Sequence, residues 1–164
     1  MPPHIIYIMG VSGAGKTTIG QLLSTKIGIP FFDADNFHST ANKEKMKAGI
    51  PLTDDDRMDW LLQLHQLVLK QSIAQGAIIA CSALKGKYRT ILANDINPFW
   101  VFLQGTYQQL YDRIKNRQGH YMSVELLQSQ LETLEIPVDA FTLSIMLSPD
   151  EIVNKIQMHI NQNQ

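Results

Sequence analysis

The stretch "GVSGAGKT", Gly10 to Thr17, satisfies the spacing G-x-x-x-x-G-K-[ST], a device for holding polyphosphate. Its glycines let successive backbone N–H groups turn inward around phosphate oxygens, and the N-terminus of a following helix favours the same negative charge. Lys16 can reach the β and γ phosphates, and Thr17 can hold Mg²⁺ through its hydroxyl. Gly10, Ser12, Gly13, Ala14, Gly15, Lys16, Thr17 and Thr18 are therefore the candidate nucleotide-binding residues, with Lys16 also a catalytic candidate. ATP is favoured over GTP. The chain has no D-x-x-G switch, and its nearest approach to the guanine-reading N-K-x-D, "NKEK" at Asn42 to Lys45, lacks the aspartate.

A second chemical element is "FFDADNFH", Phe31 to His38, which sets Asp33 and Asp35 one residue apart. If an extended backbone continues there, both carboxylates project from one face and repel. A divalent cation, a polyhydroxyl ligand or a lysine relieves that repulsion. Many phosphate-loop proteins end a later strand with an acidic residue near Mg²⁺, but here "AIIACSA" ends in Cys81, Ser82 and Ala83. The aspartate pair can take over that work, one carboxylate near Mg²⁺ and the other accepting a hydrogen bond or proton from a substrate hydroxyl.

The elements that must position these groups are legible as an alternation. "HIIYIM" is a continuous apolar run suited to a strand buried on both faces, and Ile19, Leu22, Leu23 and Ile27 after the glycines repeat at helical spacing up to Gly28. "IPFFD" is a second short strand. A helix is predicted from about Asp55 to Gln75, with Trp60, Leu61, Leu64, Leu67 and Val68 on its apolar side. "AIIACSA", "FWVFL" and "FTLSIML" supply three more strands, with a short helix around Tyr88 to Ala93 between the first two. Thr106 with Gln109 reads as a capping box, and Ser148, Pro149 and Glu151 open the last helix. The segment "KNRQGHYMS" breaks the periodicity before a helix from about Ser123, with Val124, Leu127, Leu131 and Leu134 on one face. Such alternation predicts an α/β domain with a parallel sheet.

Composition limits the rest. With 164 residues, 45% hydrophobic and 18% charged, the chain fits one domain with its own core. A net charge of -1 gives no bulk reason to bind nucleic acid or an anionic membrane, and no apolar run approaches membrane-spanning length. The single cysteine, Cys81, suits a reducing, cytoplasmic setting and reads as a small core residue. His4, His65 and His159 read as packing or surface residues, without the spacing of a zinc site.

The stretches "GVSGAGKT", "DADNFHSTANKEKMKAGIPLTDDDR", "CSALKGKYR", "RIKNRQGHYM" and "LLQSQLETLEIP", together with Trp60 and Leu61, resemble the small gluconokinases over nearly the whole chain. That resemblance implies a P-loop fold of three layers, similar to nucleoside monophosphate kinases: a five-stranded parallel sheet flanked by helices, with a helical lid around residues 113–135. It implies ATP-dependent phosphorylation of D-gluconate at its 6-hydroxyl, feeding the pentose phosphate route, with Mg²⁺ and a homodimer. Departures are Ala34 where glycine is frequent, Ser39 where proline is frequent, and Asp59 where proline is common.

A flexible polyol bearing a carboxylate needs cations at one end and acceptors along its hydroxyls. Arg57, Lys85 and Arg89 are the candidate cations, although Arg57 within "DDDR" read alone is a solvated charge. By resemblance to gluconokinases and shikimate kinases, Asp35 contacts the reacting hydroxyl, Asp33 lies nearer Mg²⁺, and His38 and His120 join the sugar-acid site. Arg113 and Arg117, four apart on one helix face, suit a lid that brings guanidinium groups to the nucleotide, with Arg117 a catalytic candidate. Another small-metabolite kinase, acting on shikimate or a nucleotide, and a nucleotide-binding regulator without acceptor chemistry are the competing readings.

Overall fold

The structure, a computed structural model, describes residues 4–116 and 124–163. Strand β1 (Ile5–Met9) is central in the sheet and buried at every position, because helices cover both of its faces. It pairs in parallel with β3 (Ala77–Ala80) and with β4 (Phe99–Gln104). The edges are β2 (Phe31–Asp33) and β5 (Phe141–Ser144), giving the all-parallel order β2-β3-β1-β4-β5.

Period-two alternation along β1 feeds two cores. Ile6 and Ile8 join Ile78, Val101 and Leu103 on the face covered by α1 (Lys16–Ile27) and α7 (Pro149–Gln162). Ile5, Tyr7 and Met9 join Ile79 and Phe102 on the other face, under Trp60, Leu61, Leu64 and Val68 of α3 (Asp54–Ser72) and Tyr88 and Leu92 of α4 (Gly86–Leu92). The expected three layers are present. Helix α5 (Tyr107–Asn116) follows β4, and α6 (Val124–Thr133) precedes β5.

Several local expectations hold in atomic detail. Gln109 N–H donates to Thr106 Oγ1 at 3.2 Å while Thr106 N–H donates to Gln109 Oε1 at 2.9 Å, a complete capping box. Ser148 caps α7 by accepting from Glu151 N–H at 3.2 Å, with Pro149 in the first turn. His65 Nε2 lies 2.8 Å from the Asn94 carbonyl, and His159 stacks on Phe99 and Phe141, so both serve packing.

Other boundaries differ. The third strand stops at Ala80, short of Ala83, because the chain leaves the sheet and Ala83 adopts a left-handed φ of 46°. The fifth strand ends at Ser144 instead of continuing through Leu147, where Leu147 N–H bonds back to the Ser144 carbonyl as a turn. Helix α3 starts one residue early, at Asp54, behind a Thr53–Asp56 capping box, and stops at Ser72, before Gln75. Helix α2 (Thr40–Lys47) has no counterpart among the expected elements; it is polar apart from Ala41 and Met46 and opens on a Ser39 cap.

Candidate active site

The phosphate loop leaves the C-terminal end of β1, in the crevice where open α/β sheets bind ligands. Backbone crowding dictates its glycines. Gly10 has φ of +149° and a Cβ there would meet the Leu103 carbonyl oxygen at 2.9 Å; Gly13 has φ of +84° and would press on Ile114 at 3.0 Å. The loop ends where α1 begins at Lys16, whose Nζ donates to the Val11 carbonyl at 3.0 Å.

On one side of this loop lies a cleft of about 450 Å³, between α5 and the start of α7. Gly13, Ala14, Gly15 and Thr18 line it together with Arg113. Arg113 donates to the Ile145 carbonyl, which fixes the side chain along the cleft wall. Leu147, Pro149 and Ile152 give the far end an apolar surface suited to a nucleobase. Arg117 and His120 lie outside the described residues.

On the other side, a narrow pocket brings Ser12, Lys16, Asp35, His38 and Arg57 together, although they come from three separate segments, the phosphate loop, the aspartate turn and α3. The two aspartates do not share a strand face as the extended backbone would require. The chain turns after Asp33 into a single 3-10 turn, Ala34–Phe37, and Asp33 Oδ1 caps it by accepting from Asp35 N–H at 3.0 Å. Asp33 Oδ2 accepts from the Thr17 hydroxyl at 3.3 Å. The pair is thus separated into two tasks: Asp33 faces Thr17, and Asp35 faces the pocket with Lys16. Burial pushes the Asp35 carboxyl above the ordinary carboxylate range, with the Lys16 ammonium pulling it back and Asp33 adding to the rise.

Trp60 builds the floor beneath this turn. Its Nε1–H donates to the Ala34 carbonyl at 2.7 Å, and its ring stacks on His38 at 4.1 Å between centroids. Burial, with Arg57 and Lys43 nearby, lowers the His38 pKa to about 4, so the imidazole is neutral at physiological pH. Asn42 of α2 reaches the same corner, donating to the Asp56 carbonyl at 2.7 Å.

The three candidate cations have different surroundings. Arg57 lines the pocket and donates to Tyr88 Oη at 2.9 Å. Lys85 pairs with Asp54 at 3.0 Å; Lys87 and the Tyr88 hydroxyl converge on the same carboxylate, and those hydrogen bonds, Lys87 first, hold Asp54 well below the usual range. Arg89 donates from Nη1 to the Ala83 carbonyl at 2.7 Å and from Nη2 to the Glu135 carbonyl at 2.9 Å. Arg57 is therefore the cation brought to the pocket, Lys85 sits in a rim network, and Arg89 ties two backbone segments together.

The Thr17 hydroxyl and Asp33 carboxylate are hard oxygen donors adjacent to the phosphate loop, the kind of sparse donor set that Mg²⁺ uses when phosphates and waters complete its shell. No cluster of three or more His, Cys, Asp or Glu suited to a metal occurs among the described residues. Cys81 is buried, and burial pushes its thiol up to about 12, which leaves it inert as a nucleophile.

Comparison with known proteins gives this arrangement its relatives. The family model described as shikimate kinase matches residues 12–157. A gluconokinase of Gluconobacter oxydans is 41% identical over 97% of this chain and 92% of its own length. A Dictyostelium discoideum protein named "Probable gluconokinase" is 44% identical, covering 93% of this chain and 84% of its own. The chain belongs to the gluconokinase family. A solved gluconokinase from Sinorhizobium meliloti 1021 superposes with a TM-score of 0.85 at 39% identity, over 93% of this chain and 89% of that one.

Within the gluconokinase frame, the sequence reading overlooked the wall contributed by α6. Leu126, Ser129, Gln130 and Thr133 all line the narrow pocket. Their spacing of three and four is the helical signal for a shared face. Because most of them are polar, that face resembles a solvated one, although it flanks the stripe of Leu127, Leu131 and Leu134 that packs on the core.

Proposed function

We propose that the protein transfers the γ-phosphoryl group of ATP to the 6-hydroxyl of D-gluconate, giving 6-phospho-D-gluconate and ADP. The observation that carries this reading is the joining of the Asp33–Asp35 turn to the phosphate loop, in a pocket that also presents Lys16, His38 and Arg57. Its likeness over nearly full length to gluconokinases supports the acceptor.

In this reading the Arg57 guanidinium binds the gluconate carboxylate, with Lys85 contributing from the rim. Neutral His38 and the Asp35 carboxylate accept hydrogen bonds from the chain hydroxyls. The oxygen–phosphorus bond to the 6-hydroxyl forms as the bond from the γ phosphorus to the β–γ bridging oxygen breaks, and ADP leaves with that electron pair. Asp35 accepts the hydroxyl proton, a role that its raised pKa favours. Lys16 neutralises charge on the transferring group, and Arg113 borders the nucleotide. Thr17 and Asp33 would hold Mg²⁺, which when bound screens phosphate charge. Arg117 and His120 are assigned to the nucleotide and sugar-acid sides by family resemblance.

We assign the homodimer to the outer face of α3. Met58 and Leu62 are exposed there, with Ile73 just beyond the helix end, and two such helices laid antiparallel would set acidic Asp55 and Asp59 near Lys70 of the second copy. Leu62→Glu should convert a dimer to a monomer by light scattering; an unchanged mass would remove this surface. A cytoplasmic setting completes the reading, supported by the single buried thiol; no helix among the described residues is long and apolar enough to cross a membrane.

The test is ADP release from Mg-ATP with D-gluconate, alongside Lys16→Met. The variant should retain its fold and lose nearly all turnover. Near-normal turnover in Lys16→Met would remove the phosphate assignment.

A further inference from the structure

The polar face of α6 contains one contact that the transfer chemistry above does not use. Gln130 Oε1 accepts a hydrogen bond from the backbone N–H of Ser12, in the phosphate loop, at 2.8 Å and across 118 residues of sequence. Ser12 is buried, so this donor has little access to water as a substitute partner. Gln130 also lines the acceptor pocket with Asp35, His38 and Arg57. A single carboxamide therefore touches both the loop that holds the donor phosphates and the cavity that receives the acceptor.

The placement of Gln130 is itself fixed from the far end of α6. Glu135 N–H donates to the Leu84 carbonyl at 2.8 Å, and Gly86 N–H donates to Glu135 Oε1 at 2.8 Å. Arg89 adds its bond to the Glu135 carbonyl at 2.9 Å. At the other end Leu126 packs in a small separate cluster with Met46 of α2 and Leu52. The pocket beneath is narrow, about 50 Å³.

We propose that Gln130 is a positioning residue for phosphoryl transfer, whose bond to Ser12 N–H locks the α6 wall of the acceptor pocket to the phosphate loop. The acceptor hydroxyl and the terminal phosphate are then held by parts that cannot shift independently. In-line transfer depends steeply on that registration, because the protein contributes mainly by positioning and charge. An amide suits the task better than a carboxylate, since it accepts the same bond without placing a negative charge beside the triphosphate.

This inference rests on the kinase reading and is tested with Gln130→Met and Gln130→Glu in the full-length protein. Gln130→Met keeps the side-chain length and removes the acceptor oxygen. It should lower kcat by about 10- to 100-fold, with ADP affinity within about twofold and Tm nearly unchanged, as expected of an interaction that serves the transition state. Gln130→Glu retains an oxygen for Ser12 and should recover part of kcat while raising the KM of the anionic acceptor. The proposal is overturned if Gln130→Met keeps kcat within about twofold of the parent, or if kcat falls only in proportion to ADP affinity or folded fraction. The unaltered protein with D-gluconate is the control for the acceptor. If it gives no turnover, the gluconate reading fails separately, and the same ordering of variants is then sought in acceptor-independent Mg-ATP hydrolysis.

Discussion

The Thr17 hydroxyl donates to Asp33 Oδ2 at 3.3 Å, joining the last residue of the phosphate loop to the first carboxylate of the aspartate turn. The nucleotide element and the acceptor element are thereby one assembly. Asp33→Asn should keep the turn, because the amide oxygen still accepts from Asp35 N–H in place of Oδ1. It should raise the Mg²⁺ concentration for half-maximal activity by about tenfold, through loss of a hard anionic donor. Activity titrated with Mg²⁺ at saturating ATP is the measurement, and an unchanged midpoint would take Asp33 out of the metal site.

Arg57 and Arg89 should separate cleanly. Arg57→Ala should raise the gluconate KM by about tenfold or more with a smaller change in kcat, because a carboxylate anchor serves ground and transition states alike. Arg89→Ala removes the link between the Ala83 and Glu135 carbonyls and should lower Tm and kcat together. A selective rise in gluconate KM in Arg89→Ala, with Tm unchanged, would instead make Arg89 a substrate ligand.

His38 gives a pH signature in stability. Its folded pKa of about 4 lies below the ordinary value of 6.5, so the unfolded chain binds the proton first. Stability is therefore intact above pH of about 6.5 and falls as pH drops towards about 4, then levels off for this group. His38→Phe, which can keep a ring on Trp60, should flatten that slope by about 2 kcal/mol after allowance for solvent screening. Urea unfolding of both proteins across this range checks it; parallel curves would show that His38 titrates normally.

Gly20 is a stability test close to the site. A Cβ there would stand 2.3 Å from the Phe31 ring, in the strand that ends at Asp33. Gly20→Ala should cost about 1–3 kcal/mol by overpacking and weaken the response to Mg²⁺ as β2 is displaced. A variant as stable as the parent would mean that the ring moves aside freely.

The parts of the fold most legible in sequence were those where chemistry and period coincide. Continuous apolar residues at Ile5 to Met9 followed by the glycine loop fixed β1 and α1, and the caps at Thr106 and Ser148 marked helix starts correctly. Helix α2 escaped because Lys43, Glu44, Lys45 and Lys47 leave it almost no apolar face; its hold on the domain comes through Met46 and the Asn42 bond to Asp56. At the site, Lys16, Asp35, His38 and Arg57, proposed from motif and resemblance, line one pocket. Gln130 was missed because a polar helical face toward solvent and one toward a polar pocket have the same pattern. The 3-10 turn after Asp33 was missed because it depends on the Asp33 side chain bonding its own backbone, which strand alternation does not anticipate.

The most direct test of the account is product formation by the purified protein with Mg-ATP and a panel of D-gluconate, related sugar acids, shikimate and nucleoside monophosphates. The account predicts ADP release with D-gluconate and 6-phospho-D-gluconate as the phosphorylated product. Turnover of another acceptor in preference to D-gluconate, or ATP binding with no transfer to any of them, would contradict it.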